Sequence, residues 1–294
     1  FGQMEQFVRE QSGKKRVALA AAHDADALGS LMMAVDRGIA EAILIGRRKE
    51  IVRVLDEMGK DAGDFRIIEE EDDRAAADKA VELVHCGEAD MPMKGLMHTS
   101  TFMKAILDKE KGLKEDGNLL SQASVFEIPE KDRFLIISDC AVNIDPDLET
   151  KIKITENAAA LAHTLGIEQP KIAVLSAVEV VNPKIRSTVD AAAMRERLSD
   201  RYLIDGPLAL DNAIDEAAAH HKGIESPVAG NADILIVPDL WSGNIFSKGL
   251  VFFAHLRSAG TLNGLKAPVV MSSRTDTVEN KYLSILTAVL QTIR

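Results

Sequence analysis

Short apolar runs that alternate with longer segments of helical periodicity constrain this chain more than any other feature of its sequence. "RVALAAA" (16–22) leads into "DADALGSLMMAVDRG" (24–38), "EAILIG" (41–46) into "RKEIVRVLDEMG" (48–59), and "FRIIEE" (65–70) into "DRAAADKAVELVHCG" (73–87). The apolar runs are continuous, as expected of strands covered on both faces, and crossover helices between them make such strands parallel. Gly38, Gly59 and Gly87 fall where helix C-caps belong. "RFLIISD" (133–139), "KIAVLSA" (171–177), "ADILIVPD" (232–239) and "APVVMSS" (267–273) continue the rhythm, with a helix expected over 147–166. A chain of 294 residues exceeds the roughly 100–200 of one domain. The pattern predicts an α/β protein with mainly parallel sheets, as two domains or one large one, and the boundary is set at 138/139. The first spans 1–138, completed by 270–294, and the second spans 139–269.

Composition narrows the function. An apolar fraction of 46% with 28% charged residues is that of a soluble globular protein. A net charge of −11, without a Lys/Arg stripe, argues against a nucleic-acid partner, while a local basic pocket can still hold a small anion. No stretch approaches the ~20 apolar residues of a membrane span, and "FGQMEQFVREQSGKKR" lacks the apolar core of a signal peptide, so no membrane partner is expected. Cys86 and Cys140 form no CxxC pattern, which fits a reducing cytoplasm. His85, His220 and His221 lack ligand spacing, so no metal is expected.

Ligand sites in open parallel sheets collect at the carboxyl ends of strands. There this chain carries "SDCAVNIDPD" (138–147), "SAVEVVNPKIRST" (176–188), "VPDLWSGNIFSKG" (237–249) and "SSRTD" (272–276). Ser242, Gly243 and Asn244, placed before a helical pattern with Asp239 as a partner, would aim the N–H groups of a small-residue turn at an anion such as phosphate. Neither GxxxxGK[ST] nor GxGxxG occurs, so a nucleotide P-loop and a dinucleotide fingerprint are unsupported.

Five blocks carry a resemblance: "MKGLMHTSTFMKAILDKEKGL" (93–113), "LSAVEVVNPKIRSTVDAAA" (175–193), "DGPLALDNA" (205–213), "KGIESPVAGNADILIVPDLWSGNIFSKGL" (222–250) and "LKAPVVMSSRTD" (265–276). In order and spacing they resemble the phosphate acetyl/butyryltransferase family, and most closely its phosphate butyryltransferase branch. The resemblance covers nearly the whole chain. It implies a fold like that of the isocitrate/isopropylmalate dehydrogenases, with two α/β/α domains and an interdomain cleft. It also implies reversible transfer of a short-chain acyl group from acyl-CoA to inorganic phosphate by direct attack. Coenzyme A and phosphate are then substrates and no cofactor is tightly bound. The resemblance further implies a homo-oligomer, a dimer or larger. Acetyl-CoA preference, or a non-catalytic CoA-binding relative, stands as the alternative.

By the same resemblance, the catalytic Ser-Arg pair maps onto Ser273 and Arg274. A guanidinium can hold two phosphate oxygens in a planar fork, and a neighbouring hydroxyl can donate to phosphate or to the thioester carbonyl. Lys94, His98 and Thr99 are expected to bind substrate, with Thr99 or Ser100 as the N-cap of the following helix. Asn182 and Lys184 in "VVNPK" either contact ligand or shape an Asn-Pro turn. The acetyltransferase members carry an aspartate where this chain has Asn280, which leaves the general base open among Asp276, Glu279 and none. The branch usually has a histidine at the position of Gln122.

Overall fold

The computed structural model describes residues 1–11 and 13–293. The chain divides into two compact units, one of Phe1–Asn118 together with the segment from Ala259 onward, the other of Leu119–Ser258.

The first unit opens with α1 (Gly2–Glu10), β1 (Lys15–Ala20), α2 (Ala25–Asp36), β2 (Ala40–Gly46), α3 (Arg48–Glu57), β3 (Arg66–Glu69), α4 (Asp73–His85), β4 (Met91–Lys94) and α5 (Thr99–Ile106). Its strands form a parallel sheet in the order β3-β2-β1-β4. Val17 to Ala20 of β1 are wholly buried, as a central strand covered on both faces requires. Asp24 and Asp72 cap α2 and α4 with their carboxylates, and Gly38, Gly59 and Gly87 follow α2, α3 and α4 with positive φ, as expected. Beyond β4, the chain packs so tightly on the end of β1 that a Cβ on Gly95 would lie 2.3 Å from the Ala21 carbonyl oxygen and 2.6 Å from that of Ala20. Only glycine permits this approach, which sets the two strand ends side by side.

The second unit contains β5 (Ser121–Ile128), β6 (Arg133–Ser138), α6 (Leu148–Thr164), β7 (Lys171–Leu175), α7 (Arg186–Leu198), β8 (Leu203–Leu208), the short α8 (Leu210–Ile214) and α9 (Glu216–His221), β9 (Ile234–Ile236) and α10 (Leu240–Phe252). Within it the strand order is β5-β6-β9-β7-β8, with β5 and β6 antiparallel and the remaining pairs parallel. The chain then leaves along β10 (Ser258–Asn263) and ends in α11 (Val278–Gln291).

The division falls at 118/119 and 258/259, where the sequence placed it at 138/139 and 269/270. The reason is local pairing. β5 and β6 form one hairpin, in register from Ala123↔Ser138 to Ile128↔Arg133, so both strands belong to the second unit. The segment after 258 is tied to the first unit by the Lys266 N–H on the Leu113 carbonyl, the Lys114↔Leu265 bridge and the packing of α11 on α2. The run "APVVMSS" is not a full strand. It meets β4 at the parallel bridge Met93↔Val270, with the Lys94 N–H on the Val270 carbonyl and the Val270 N–H on the Pro92 carbonyl. α11 is buried at every residue from Asn280 to Leu290 and packs against α2, which explains its nearly continuous apolar sequence.

Candidate active site

In the first unit the carboxyl ends of β1, β4 and the 269–270 segment bring together most of the expected catalytic groups. Lys94, the last residue of β4, is 5% exposed, and its Nζ donates to the carbonyls of Gly95 (3.3 Å) and Met97 (3.5 Å). Arg274 Nη2 donates to the same Met97 carbonyl at 3.4 Å and meets His98 Nδ1 at 3.4 Å. A guanidinium has no acceptor, so in this contact Nδ1 accepts and the proton of a neutral ring resides on Nε2. Lysine, arginine and histidine thus share one corner.

The turn that carries Arg274 is locked from within. Ser273 N–H donates to Asp276 Oδ2 at 2.7 Å, and the Ser273 and Thr275 hydroxyls lie 3.0 Å apart. Lys281, on the first turns of α11 and 3% exposed, donates to the carbonyls of Asp276 and, at 3.4 Å, of Arg274. Burial first, and then the charges of Arg274 and Lys281, hold the Lys94 ammonium below the usual lysine value, while Asp24 opposes them. Three cations facing one carboxylate create a local demand for an anion that the overall charge of −11 does not reveal.

The remaining first-unit residues lie around this core. Thr99 begins α5 and is exposed, with His98 rather than Thr99 or Ser100 as the N-cap and no side-chain cap bond. Glu279 is exposed in the first turn of α11. Asn280 beside it is buried, and its N–H is taken by the Thr277 hydroxyl.

The second-unit residues are placed differently from expectation in one respect. α10 starts at Leu240, so Ser242, Gly243 and Asn244 lie inside its first turn. Asp239 is the N-cap, taking both the N–H and the hydroxyl of Ser242 at 2.8 Å, and its carbonyl takes the Gly243 N–H. These N–H groups therefore do not form an anion cradle. Gly243 instead lets α10 press on β6, since a Cβ there would lie 2.5 Å from the Asp139 carbonyl oxygen. Asn244 Nδ2 donates to the Cys140 carbonyl at 3.1 Å. The buried Asp139 carboxylate accepts from the N–H groups of Gln122, Ala141, Val142 and Asn143 and from Asn143 Nδ2. Asn182 Oδ1 accepts the Lys184 N–H at 3.0 Å, the closed Asn-Pro turn, and Lys184 is exposed. Gln122 donates to the Ala123 carbonyl and Ser124 Oγ. A cavity of ≈ 730 Å³ beside α7 and β8 is lined by none of the residues singled out from the sequence.

Two groups escaped the sequence reading, Lys281 and Asp24. Lys281 had a signal: it is a lone lysine at the head of an apolar helical run, "KYLSILTAVL". Among the described residues no cluster of three or more His, Cys, Asp or Glu side chains could hold a metal, and no helix is long and apolar enough to cross a membrane.

Residues 74–289 match the family described as "Phosphate acetyl/butaryl transferase". The chain belongs to this family. It is 47% identical to the phosphate butyryltransferase of Clostridium acetobutylicum over 94% of this chain and 93% of that one. It is 42% identical to the phosphate acetyltransferase of Thermotoga maritima over 96% and 97%. A crystal structure of a branched-chain phosphotransacylase from Enterococcus faecalis, 35% identical, superposes with a TM-score of 0.84 over 94% of this chain and 98% of that one. A 4-hydroxythreonine-4-phosphate dehydrogenase from Burkholderia phymatum, 14% identical, shares the fold at a TM-score of 0.53 over 95% and 98%. The architecture is therefore the expected dehydrogenase-like α/β fold.

The buried Lys94 generates a stability prediction. Its proton is held more tightly in the unfolded chain than in the folded one. Below both pKa values the two states are protonated and the folded state bears the full cost, about 1.4 kcal/mol for each unit of depression; the cost is relieved as pH rises through the folded value. Lys94→Met is expected to melt higher than the parent at pH 7 in thermal denaturation, with the difference shrinking as pH is raised towards about 10.

Proposed function

We propose that the protein transfers a short-chain acyl group reversibly between coenzyme A and inorganic phosphate, with butanoyl as the preferred group. The observation that carries this reading is the convergence of Arg274, Lys94 and His98 at a strand-end corner, in a chain of this family. The Arg274 guanidinium fork orients the phosphate dianion for attack on the thioester carbonyl, and His98 Nε2–H and the Ser273 hydroxyl supply donors for the oxyanion that develops. Attack is direct. Cys140 is buried, and desolvation, then the Asp139 charge, pushes its thiol up to about 12, so it is not a thiolate nucleophile at neutral pH. Glu279 is the assigned proton acceptor at the rim, and Asp276, whose carboxylate is held by the Ser273 N–H, is less suited to that task.

Thr99 at the start of α5, and Asn182 and Lys184 in the loop after β7, are assigned to substrate binding, because these are the places where ligands of parallel sheets collect. Lys184 supplies the exposed charge among the second-unit set, suited to a phosphate of coenzyme A. Preference for butanoyl rests on the butyryltransferase relatives at 47% and 42% identity. A methylene in an apolar pocket is worth only ~1–3 kcal/mol, so acetyl transfer is the second reading.

A cytoplasmic homo-oligomer completes the proposal. Cys86 and Cys140 are free thiols, in keeping with a reducing compartment. Trp241 (58% exposed), Ile245 (71%) and Phe252 form an apolar stripe on α10, interrupted by the exposed Lys248, that carries no acidic residue and that two copies can bury. Sedimentation is expected to give a dimer or larger, and a monomer at all concentrations would contradict this part.

The reaction itself is read by phosphate-dependent thiol release from acetyl-, propanoyl- and butanoyl-CoA. Butanoyl-CoA is expected to give the highest kcat/KM, and Arg274→Ala to lose ~10²–10³ in rate. A protein that binds coenzyme A but releases no thiol on addition of phosphate would be a non-catalytic relative.

A further inference from the structure

The three cations at the corner are not equivalent, and their difference assigns them different anions. Arg274 is exposed, beside the exposed His98, and presents a planar fork, which suits a hydrated dianion with several oxygens. Lys94 is 5% exposed, with its Nζ on the main-chain carbonyls of Gly95 and Met97, and offers a compact, largely desolvated point charge. Stripping the water from a phosphate dianion to place it there would be costly, whereas a singly charged, polarisable sulfur anion loses far less hydration.

Glu279, at the exposed rim, is assigned the hydrogen phosphate proton, and the other groups near the corner are poor acceptors for a thiol proton. His98 Nδ1 already accepts from Arg274, and a neutral ring has no second lone pair to offer. Asp276 Oδ2 is held by the Ser273 N–H. Position 280 is an amide. The charged groups that face Lys94 are Asp24 at the start of α2, Arg274 on the turn before α11 and Lys281 on α11, with His98 at the start of α5 close by. That surplus of positive charge strains the ammonium, and an anion set against it would relieve the strain.

We propose that Lys94 is a catalytic residue whose ammonium pairs with the sulfur of coenzyme A, holding it as the thiolate that leaves in one direction and attacks in the other. This rests on the acyltransferase reading above. In the forward direction the phosphate oxygen bonds to the carbonyl carbon, the C–S bond breaks with its electron pair on sulfur, and Lys94 stabilises that charge. The hydrogen phosphate proton passes to Glu279 at the rim and on to solvent, and the thiolate takes one up on release, so protons balance. In the reverse direction the thiol loses its proton to solvent on binding, or to the Lys94 amine where that is already neutral, and the thiolate displaces phosphate.

The test is the titration of the bound thiol, followed by ultraviolet thiolate absorbance in the complex of the protein with coenzyme A. The wild type is expected to lower the midpoint by at least one unit from that of free coenzyme A in the same buffer. Lys94→Met, whose folding is checked by its melting temperature, is expected to bind coenzyme A and return the midpoint to the free value. Lys94→Arg keeps the charge and is expected to keep most of the shift. In steady state, acyl phosphate consumption by Lys94→Met should fall about 10²-fold at pH 7 and recover about tenfold per pH unit towards the ~8.5 at which an ordinary thiol ionises, while the KM for phosphate, measured in the direction that starts from acyl-CoA, changes less than threefold. An unshifted midpoint in the wild type, a shift that survives in Lys94→Met, or loss of coenzyme A or phosphate binding in that variant without the alkaline recovery would each overturn the assignment. Absence of phosphate-dependent thiol release in the wild type would instead sink the acyltransferase reading itself.

Discussion

One backbone carbonyl, that of Met97, receives both the Lys94 ammonium and the Arg274 guanidinium, and the chemistry assigned to the site depends on that shared acceptor. It fixes two cations that would otherwise repel each other, from positions 180 residues apart in the sequence. Neither could reach the other without the backbone around it. Gly95 lets the chain after β4 lie against the end of β1, and the parallel bridge at Val270 brings the last segment of the chain alongside β4. Lys281 then supports the Arg274 turn from below through backbone carbonyls, so the guanidinium is oriented by the fold rather than by a carboxylate partner that would compete with substrate.

This arrangement also accounts for how an acidic protein recruits anionic substrates. Net charge governs the field at distance, where salt screens it within about 10 Å. At contact the three cations of the corner dominate, and their mutual repulsion is part of the device: it makes the empty site less stable and the anion-bound site more so. The stability cost of burying Lys94 is thus of a kind often found at functional sites, where a group is held in a charge state that the fold alone would not favour.

Much of the architecture was legible in the sequence. The β-then-α rhythm gave the parallel sheet of the first unit, because strands covered on both faces must be continuously apolar, and the glycines after α2, α3 and α4 marked where those helices stop. The antiparallel β5 was not legible. "SQASVFEI" mixes polar and apolar residues, and its pairing with β6 moved the unit boundary. At the site, Ser273 and Arg274 stood in a strand-end loop of the sequence, whereas Lys94 and His98 entered only through the family resemblance. The reading of Ser242, Gly243 and Asn244 as an anion turn failed because Asp239 starts the helix earlier and consumes the N–H groups itself. Lys281 was missed because a single lysine in an apolar helix looks like a surface residue until its partners are known to be main-chain carbonyls.

The central claim is that the Arg274 corner is a phosphate site, and direct binding tests it most plainly. Isothermal titration of the protein with inorganic phosphate, in the absence of any acyl donor, is predicted to show one phosphate per chain, with affinity that weakens as salt is raised and falls at least tenfold in Arg274→Ala. Equal affinity in the parent and the variant, or no saturable binding in either, would contradict the account.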